Sequence, residues 1–172
     1  MDLKDTIQKR HSVRNFSDKE VSLDLIHEMI KFANLAPSAG NLQARDFIIV
    51  NDIELKKRLS AAALDQEFIV EASVNIVVCA NLNRISPYGM RGRELYCIQD
   101  SAASVEHILL LAVDNKLGAC WVSAFDEIEV SKILNLPSYI RPVAIIPIGQ
   151  PIGKAKPTSR IDTKALTHYN GW

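Results

Sequence analysis

Residues 94–117 read ELYCIQDSAASVEHILLLAVDNKL, and this stretch decides what kind of core the chain can build. Leu95, Ile98, Ala102, Val105, Leu109 and Ala112 recur at intervals of three and four, the spacing that lines one face of an α-helix. The spacing predicts a helix from Glu94 to Leu117, about 36 Å long at 1.5 Å per residue. At Ile108-Leu109-Leu110-Leu111 that helix is apolar on every side. Such a helix needs neighbours all round, either a large core or a second subunit. Gly118 reads as the C′ residue that ends it.

Outward from this helix, strands and shorter helices follow in irregular order. Leu3 and Ile7 begin a short helix that runs out near Arg10. Ser22 is the N-cap of a helix carrying Leu23, Ile26, Ile30 and Ala33 on one face and stopped at Pro37. A loop of small residues, Pro37-Ser38-Ala39-Gly40-Asn41, precedes a strand through Phe47-Ile48-Ile49-Val50. Asp52 caps a charged surface helix, and Val74 to Ala80 reads as a buried strand. Residues 84–93, with Pro87, Gly89, Gly92 and three arginines, read as a polar loop. Beyond the long helix come a short strand from Ala119 to Ser123 and a helix opened by a capping box of Asp126 and Glu129. Pro142 to Gly149 is a final apolar strand. No regular β-α-β alternation is present and no G-x-G-x-x-G follows a strand, so a doubly wound nucleotide fold is disfavoured. The expectation is one α+β domain over residues 1–172, with 150–172 as an extended C-terminal arm. That arm keeps Tyr169 and Trp172, which predicts that it lies on a surface.

Composition narrows the function. Lys plus Arg equals Asp plus Glu at 20 each, so no global field recruits nucleic acid or an anionic membrane. The three cysteines, Cys79, Cys97 and Cys120, form no C-x-x-C pair and sit among apolar neighbours, which predicts small buried hydrophobes rather than disulfides or a metal centre. The four histidines, His11, His27, His107 and His168, lack metal-ligand spacing. The longest apolar run, Ile108 to Val113, is too short to span a bilayer, and the N-terminus does not read as a signal peptide. A cytoplasmic location is the expectation.

Four stretches could carry chemistry. In Arg10-His11-Ser12-Val13-Arg14, an extended chain places Arg10, Ser12 and Arg14 on one face, two guanidinium forks about a hydroxyl, which suits a phosphate monoester. The same residues also fit a solvated helix end. In Ala36-Pro37-Ser38-Ala39-Gly40-Asn41-Leu42-Gln43, small residues permit close approach to a flat ligand, although an interhelical turn has the same composition. Cys120-Trp121-Val122-Ser123-Ala124-Phe125 runs from a strand end into a helix cap, where backbone N–H groups are free to face a ligand or simply turn a core corner. The tail offers Lys154, Lys156, Arg160 and Lys164, a cationic site or a solvated basic segment. No G-x-S-x-G occurs and no catalytic triad presents itself.

Taken in order, these stretches resemble the signature of the nitroreductase family. The match runs through residues 7–16, residues 36–43, residues 118–125, and Pro147-Ile148-Gly149 followed by the basic tail. The resemblance implies a mixed central β-sheet flanked by helices, in an interlocked homodimer with FMN at the subunit interface and NAD(P)H as electron donor. It implies that Arg10, Ser12 and Arg14 hold the phosphate and ribityl chain with His11 beside them, and that Arg160, helped by Lys156, closes the phosphate site. Pro37, Ser38, Ala39 and Asn41 would come from the partner subunit. Ser123 and Ala124 would turn backbone N–H groups toward the flavin N5 and O4 edge, with Trp121 and Val122 lining the ring. The 94–117 seam then becomes the dimer-forming helix. The acceptor implied is a small oxidised molecule such as a nitroaromatic or quinone. A flavin-consuming or dehalogenating relative and a non-catalytic FMN carrier stay open. One departure stands out: Ala44-Arg45 follows Gln43 where many relatives carry proline and an aromatic.

Overall fold

The computed structural model describes residues 1–153 and 158–172. Its helices are α1 (Leu3–Lys9), α2 (Leu23–Ala33), α3 (Ile53–Ala62), α4 (Phe68–Glu71), α5 (Gly89–Arg91), α6 (Cys97–Asp114) and α7 (Glu127–Ile133). Its strands are β1 (Arg45–Val50), β2 (Val74–Asn81), β3 (Gly118–Ala119) and β4 (Ile140–Gly149), in the order β1-β2-β4-β3. All three pairings are antiparallel, and the parallel contact of the expected mixed sheet is a single bridge from Ser12 to Ala119.

β2 is buried at all eight positions because helices cover both faces of the sheet. Alternation along the strands divides the core in two. Val74, Ile76, Val78, Ile146 and Ile148 face α2 and α6, through Ile26, Met29, Val105 and Ile108. Val77, Cys79 and Ile145 face α3 and α7, through Leu59, Val130 and Ile133. Burial pushes the Cys79 thiol up to about 12, in keeping with cysteines that behave as small hydrophobes. The cap of α2 forms as expected, the Ser22 side chain accepting from the Asp24 N–H, and Asp52 accepts from Leu55 N–H at the start of α3.

The long helix departs from its sequence reading in three ways. Residues 89–93, expected in a polar loop, are already helical: α5 leads into a π-turn over Gly92–Tyr96 and then into α6. The face of α6 against the core is rotated toward Cys97, Asp100, Ser101 and Ser104, leaving Leu95, Ile98 and Ala102 only half-buried. Most polar groups on that face are bonded, Ser101 Oγ donating to Cys97 O at 2.8 Å and Asp100 Oδ1 accepting from Ala39 N–H at 3.0 Å, while the buried Asp100 Oδ2 has no partner among the described residues. Leu109, expected at a subunit seam, lies in the protomer's own core beside Ile26 and Val105. The half-buried Leu110 and Leu111 instead line an apolar depression with Leu3, Phe32 and Leu35.

The helix ends at Asp114, and Lys116, not Gly118, takes the left-handed position at φ 60°. Leu117 N–H donates to Ala112 O at 2.7 Å and Lys116 N–H to Val113 O at 2.9 Å, the paired bonds of a Schellman motif. Gly118 has a different task. A Cβ there would lie 2.7 Å from Val13 Cγ1, so its absence lets the Arg10–Arg14 segment lie against β3. Gly118→Ala should therefore destabilise the protein by about 1–3 kcal/mol, the range of core overpacking, and a melt matching wild type would show that the segment shifts freely.

Two smaller corrections follow the chain. The strand expected over Ala119–Ser123 shortens to β3 plus an isolated bridge between Val122 and Ile145. The Asp126 carboxylate caps α7 by accepting from Ile128 and Glu129 N–H, but the box does not close, since Asp126 N–H donates to Ala62 O at 2.8 Å and Glu129 pairs with Lys132. Among the described residues, no helix is long and apolar enough to cross a membrane.

Candidate active site

The chain leaves α1 at Lys9 and runs extended. Val13 and Phe16 turn inward and are buried, and Val13 N–H donates to Ala119 O at 2.9 Å. Ser12 and Arg14, on either side of Val13, are directed outward as the two-residue period requires, and the alternation breaks after them, where Arg14 and Asn15 are both exposed before Phe16 turns in. Residues beyond β4 zip onto the other edge of this segment: Ser17 N–H donates to Gln150 O at 3.0 Å, and Ile152 N–H to Asn15 O at 3.0 Å. Between them lies a cleft of about 520 Å³ lined by Arg10, His11, Ser12 and Arg14 from one side and Gly153, Thr158 and Arg160 from the other.

Three guanidiniums thus share one cleft, and none forms a salt bridge with a described residue. Arg14 rests over the Phe68 ring, 5.9 Å from its centroid. Arg160 Nη1 donates to Thr158 Oγ1 at 2.8 Å. His11 Nδ1 lies 2.8 Å from Lys9 O, and a carbonyl can only accept, so that nitrogen carries the proton. Beside the segment, burial pushes the Cys120 thiol up, while Arg14, the Ser12 hydroxyl and Arg10 pull the other way. Lys156, expected to assist Arg160, falls outside the described residues.

The 120–125 stretch follows β3. Val122 exchanges both backbone bonds with Ile145, at 3.0 and 2.9 Å, and Cys120 N–H reaches Pro147 O at 3.3 Å. The alternate N–H groups have no such partner. Ser123 and Ala124 N–H make no protein hydrogen bond among the described residues, and both residues are exposed beside Trp121. The segment is held from below by Gln66, whose Nε2 donates to Ala63 O at 2.7 Å and Ala124 O at 3.3 Å. Leu64 and Asp65 precede Gln66 at φ 59° and 56°, a cost that persists only where the surroundings impose it. Gln66 and Phe68 belong to the site's surroundings and were not legible in the sequence, because neither sits in a motif.

The Pro37–Asn41 loop stands apart from these groups. It lines a second cleft of about 440 Å³, where Pro37, Ser38 and Ala39 face Tyr88, Tyr96, Gln99 and Asp100. Within one chain, therefore, Arg10, His11, Ser12, Arg14 and Arg160 are brought together, and Pro37, Ser38, Ala39 and Asn41 are not brought to them. Among the described residues no cluster of histidine, cysteine and acidic side chains could hold a metal ion.

An antiparallel sheet covered by helices on both faces defines an α+β fold, and an arginine-lined cleft opens beside its 10–14 segment. The profile of the Nitroreductase family matches residues 7–73 and 61–150, and the chain belongs to that family. A protein of Archaeoglobus fulgidus named for NADH dehydrogenase/NAD(P)H nitroreductase is 36% identical over 151 residues, covering 84% of this chain and 83% of the relative. An FMN reductase (NADPH) of Bacillus subtilis is 24% identical over 180 residues, covering 96% of this chain and 72% of the relative. Among solved structures, a nitroreductase family protein from Clostridium novyi NT superposes with a TM-score of 0.80 at 31% identity, covering 88% of this chain and 86% of that one. B. megaterium NfrA2 superposes at 0.92 with 28% identity, covering 99% of this chain and 74% of that one.

Proposed function

We propose that this protein is a homodimeric, FMN-dependent oxidoreductase that passes electrons from NAD(P)H to a small oxidised acceptor, of the nitroaromatic or quinone kind. The observation that carries the reading is the cleft lined by Arg10, Ser12, Arg14 and Arg160, with no carboxylate among its described lining residues to neutralise the three guanidiniums. Guanidinium forks gathered this way suit a phosphate dianion. Family membership and the name of the Bacillus subtilis relative, an FMN reductase, support FMN as the group that bears it.

Bound FMN supplies the redox chemistry, and the protein supplies position and electrostatics. Arg10, Ser12, Arg14 and Arg160 hold the phosphate and ribityl end, with His11 beside them. The unpaired N–H groups of Ser123 and Ala124 are donors for the N5 and O4 edge, where polarisation favours hydride uptake. The exposed Trp121 lines the ring, whereas Val122, expected beside it, is buried in the core with Leu59 and Ile145 and only supports the segment from behind. Pro37, Ser38, Ala39 and Asn41 reach the site of the partner subunit. The chain works as one domain over 1–172, with 150–172 as an arm.

The surface supports a second copy as the partner. Every residue from 158 to 172 is exposed, including Ile161, Leu166 and Tyr169, and Trp172 is 104% exposed. An arm of this kind rests on something, and the depression about Leu3, Phe32, Leu35 and Leu110 offers further apolar area to the same partner.

Titrating purified protein with FMN tests the proposal. The expected result is a flavin spectrum with quenched fluorescence, acceptor-dependent NAD(P)H oxidation, and sedimentation as a dimer at micromolar concentration. A colourless protein with no FMN affinity overturns it. A folded, FMN-loaded monomer overturns the two-chain site.

A further inference from the structure

The loop that would meet the partner's cofactor is bound by a buried cation, Arg45, that follows it in the chain. Arg45 is 2% exposed at the first position of β1. Its Nη2 donates to Asn34 O at 2.8 Å and Ala36 O at 2.6 Å, and its Nη1 to Pro37 O at 3.1 Å and Asp100 O at 3.2 Å. Its Nε reaches Asn34 Oδ1 at 3.4 Å. The carbonyls of Asn34, Ala36 and Pro37 lie just past the C-terminus of α2, where a positive charge complements the helix dipole. Asp100, 5% exposed on α6, holds the far side of the same loop through Ala39 N–H.

The backbone between these anchors is not in a conformation it would adopt alone. Gly40, Asn41 and Gln43 all have positive φ, at 55°, 55° and 48°. Gly40 is covered by Tyr88, whose hydroxyl would lie 2.6 Å from a Cβ there. Two buried charges are a poor route to stability, because desolvation offsets most of their attraction. They are an effective route to a single loop geometry, since a planar fork with fixed donors admits only one arrangement of four carbonyls. A loop set before binding spares the ligand the cost of ordering it.

We infer that Arg45 and Asp100 are positioning residues that act across the subunit interface, presetting the 36–41 loop against the ring end of the flavin bound in the partner's cleft. This rests on the FMN-dimer reading above. What it adds to that reading is the pair of buried groups that fixes the loop's half of each site.

Fluorescence titration with FMN and with riboflavin, on apoprotein, gives the test without recourse to activity. Asp100→Ala and Arg45→Lys should each bind both flavins about tenfold more weakly, the worth of roughly one well-formed hydrogen bond. The ratio of FMN to riboflavin affinity should stay at its wild-type value, because the phosphate contacts are untouched. Asp100→Asn, which keeps an Oδ1 acceptor for Ala39 N–H, should restore affinity to within about threefold.

The decisive sample is a mixed dimer of one Asp100→Ala chain and one Arg14→Ala chain, purified by different tags. Action across the interface leaves one site with both defects and one with neither, so half of the sites should bind FMN with wild-type affinity. If no site of wild-type affinity is found, the loop acts within its own chain and the inference is overturned, while FMN binding by the wild-type dimer leaves the functional reading standing. If wild type takes up no flavin, both fall. Where Asp100→Ala does not fold, Arg45→Lys replaces it in the mixed dimer with the same expected count.

Discussion

Ser123→Pro is expected to lower the rate of flavin reduction by roughly 10²–10³, the effect of deleting one preorganised donor from a site where charge develops, while Ser123→Ala stays within several-fold of wild type. The contrast follows from which atom does the work. Ser123 N–H is unpaired among the described residues, so proline removes a donor that the fold itself does not use. Proline also forces the preceding residue into an extended conformation, and Val122 already bridges Ile145 there, so the local backbone tolerates the change. FMN should still bind through the arginine cleft. Stopped-flow reduction of the loaded variant by NAD(P)H is the measurement. Wild-type reduction kinetics in Ser123→Pro would sink the assignment of this N–H to N5, and joint loss of folding and FMN binding would mark residues 119–125 as a core corner only.

The second large effect is on affinity. Arg14→Ala and Arg160→Ala should each weaken FMN binding by about one to two decades, since a charge-assisted bond contributes roughly 1.5–3 kcal/mol. Riboflavin, which lacks the phosphate, should bind variant and wild type alike. Arg14 also covers the Phe68 ring, and Arg160 covers no aromatic ring among the described residues, so a matching loss at both positions would come from phosphate and not from ring packing. Equal weakening of riboflavin and FMN would remove these arginines from the phosphate site.

The candidate site divides sharply by how its parts were encoded. The Arg10–Arg14 segment was legible because alternation in an extended chain is a local rule, and burial of Val13 directs its neighbours Ser12 and Arg14 outward. The caps at Ser22 and Asp52 were legible for the same reason, each side chain serving an N–H two or three residues away. Arg45 carried a weaker mark: a cation opening an apolar strand departs from the family pattern, but its partners at Asn34, Ala36, Pro37 and Asp100 come from two other helical segments.

The sequence by itself determined membership of an α+β class, the capped helices, the buried strands and the outward direction of Ser12 and Arg14. Each depends on neighbours a few residues apart, and those neighbours are fixed by the chain. Only the tertiary structure decided that Gly118 makes room for Val13 instead of ending a helix, that the buried face of α6 turns toward Ser101 and Ser104, and that Gln66 lies under Ala124. The physical reason is common to all three. A close approach, a helix rotation or a bond across 58 residues is set by which surfaces meet once the elements pack, and periodicity along one element carries no record of the surface it will meet.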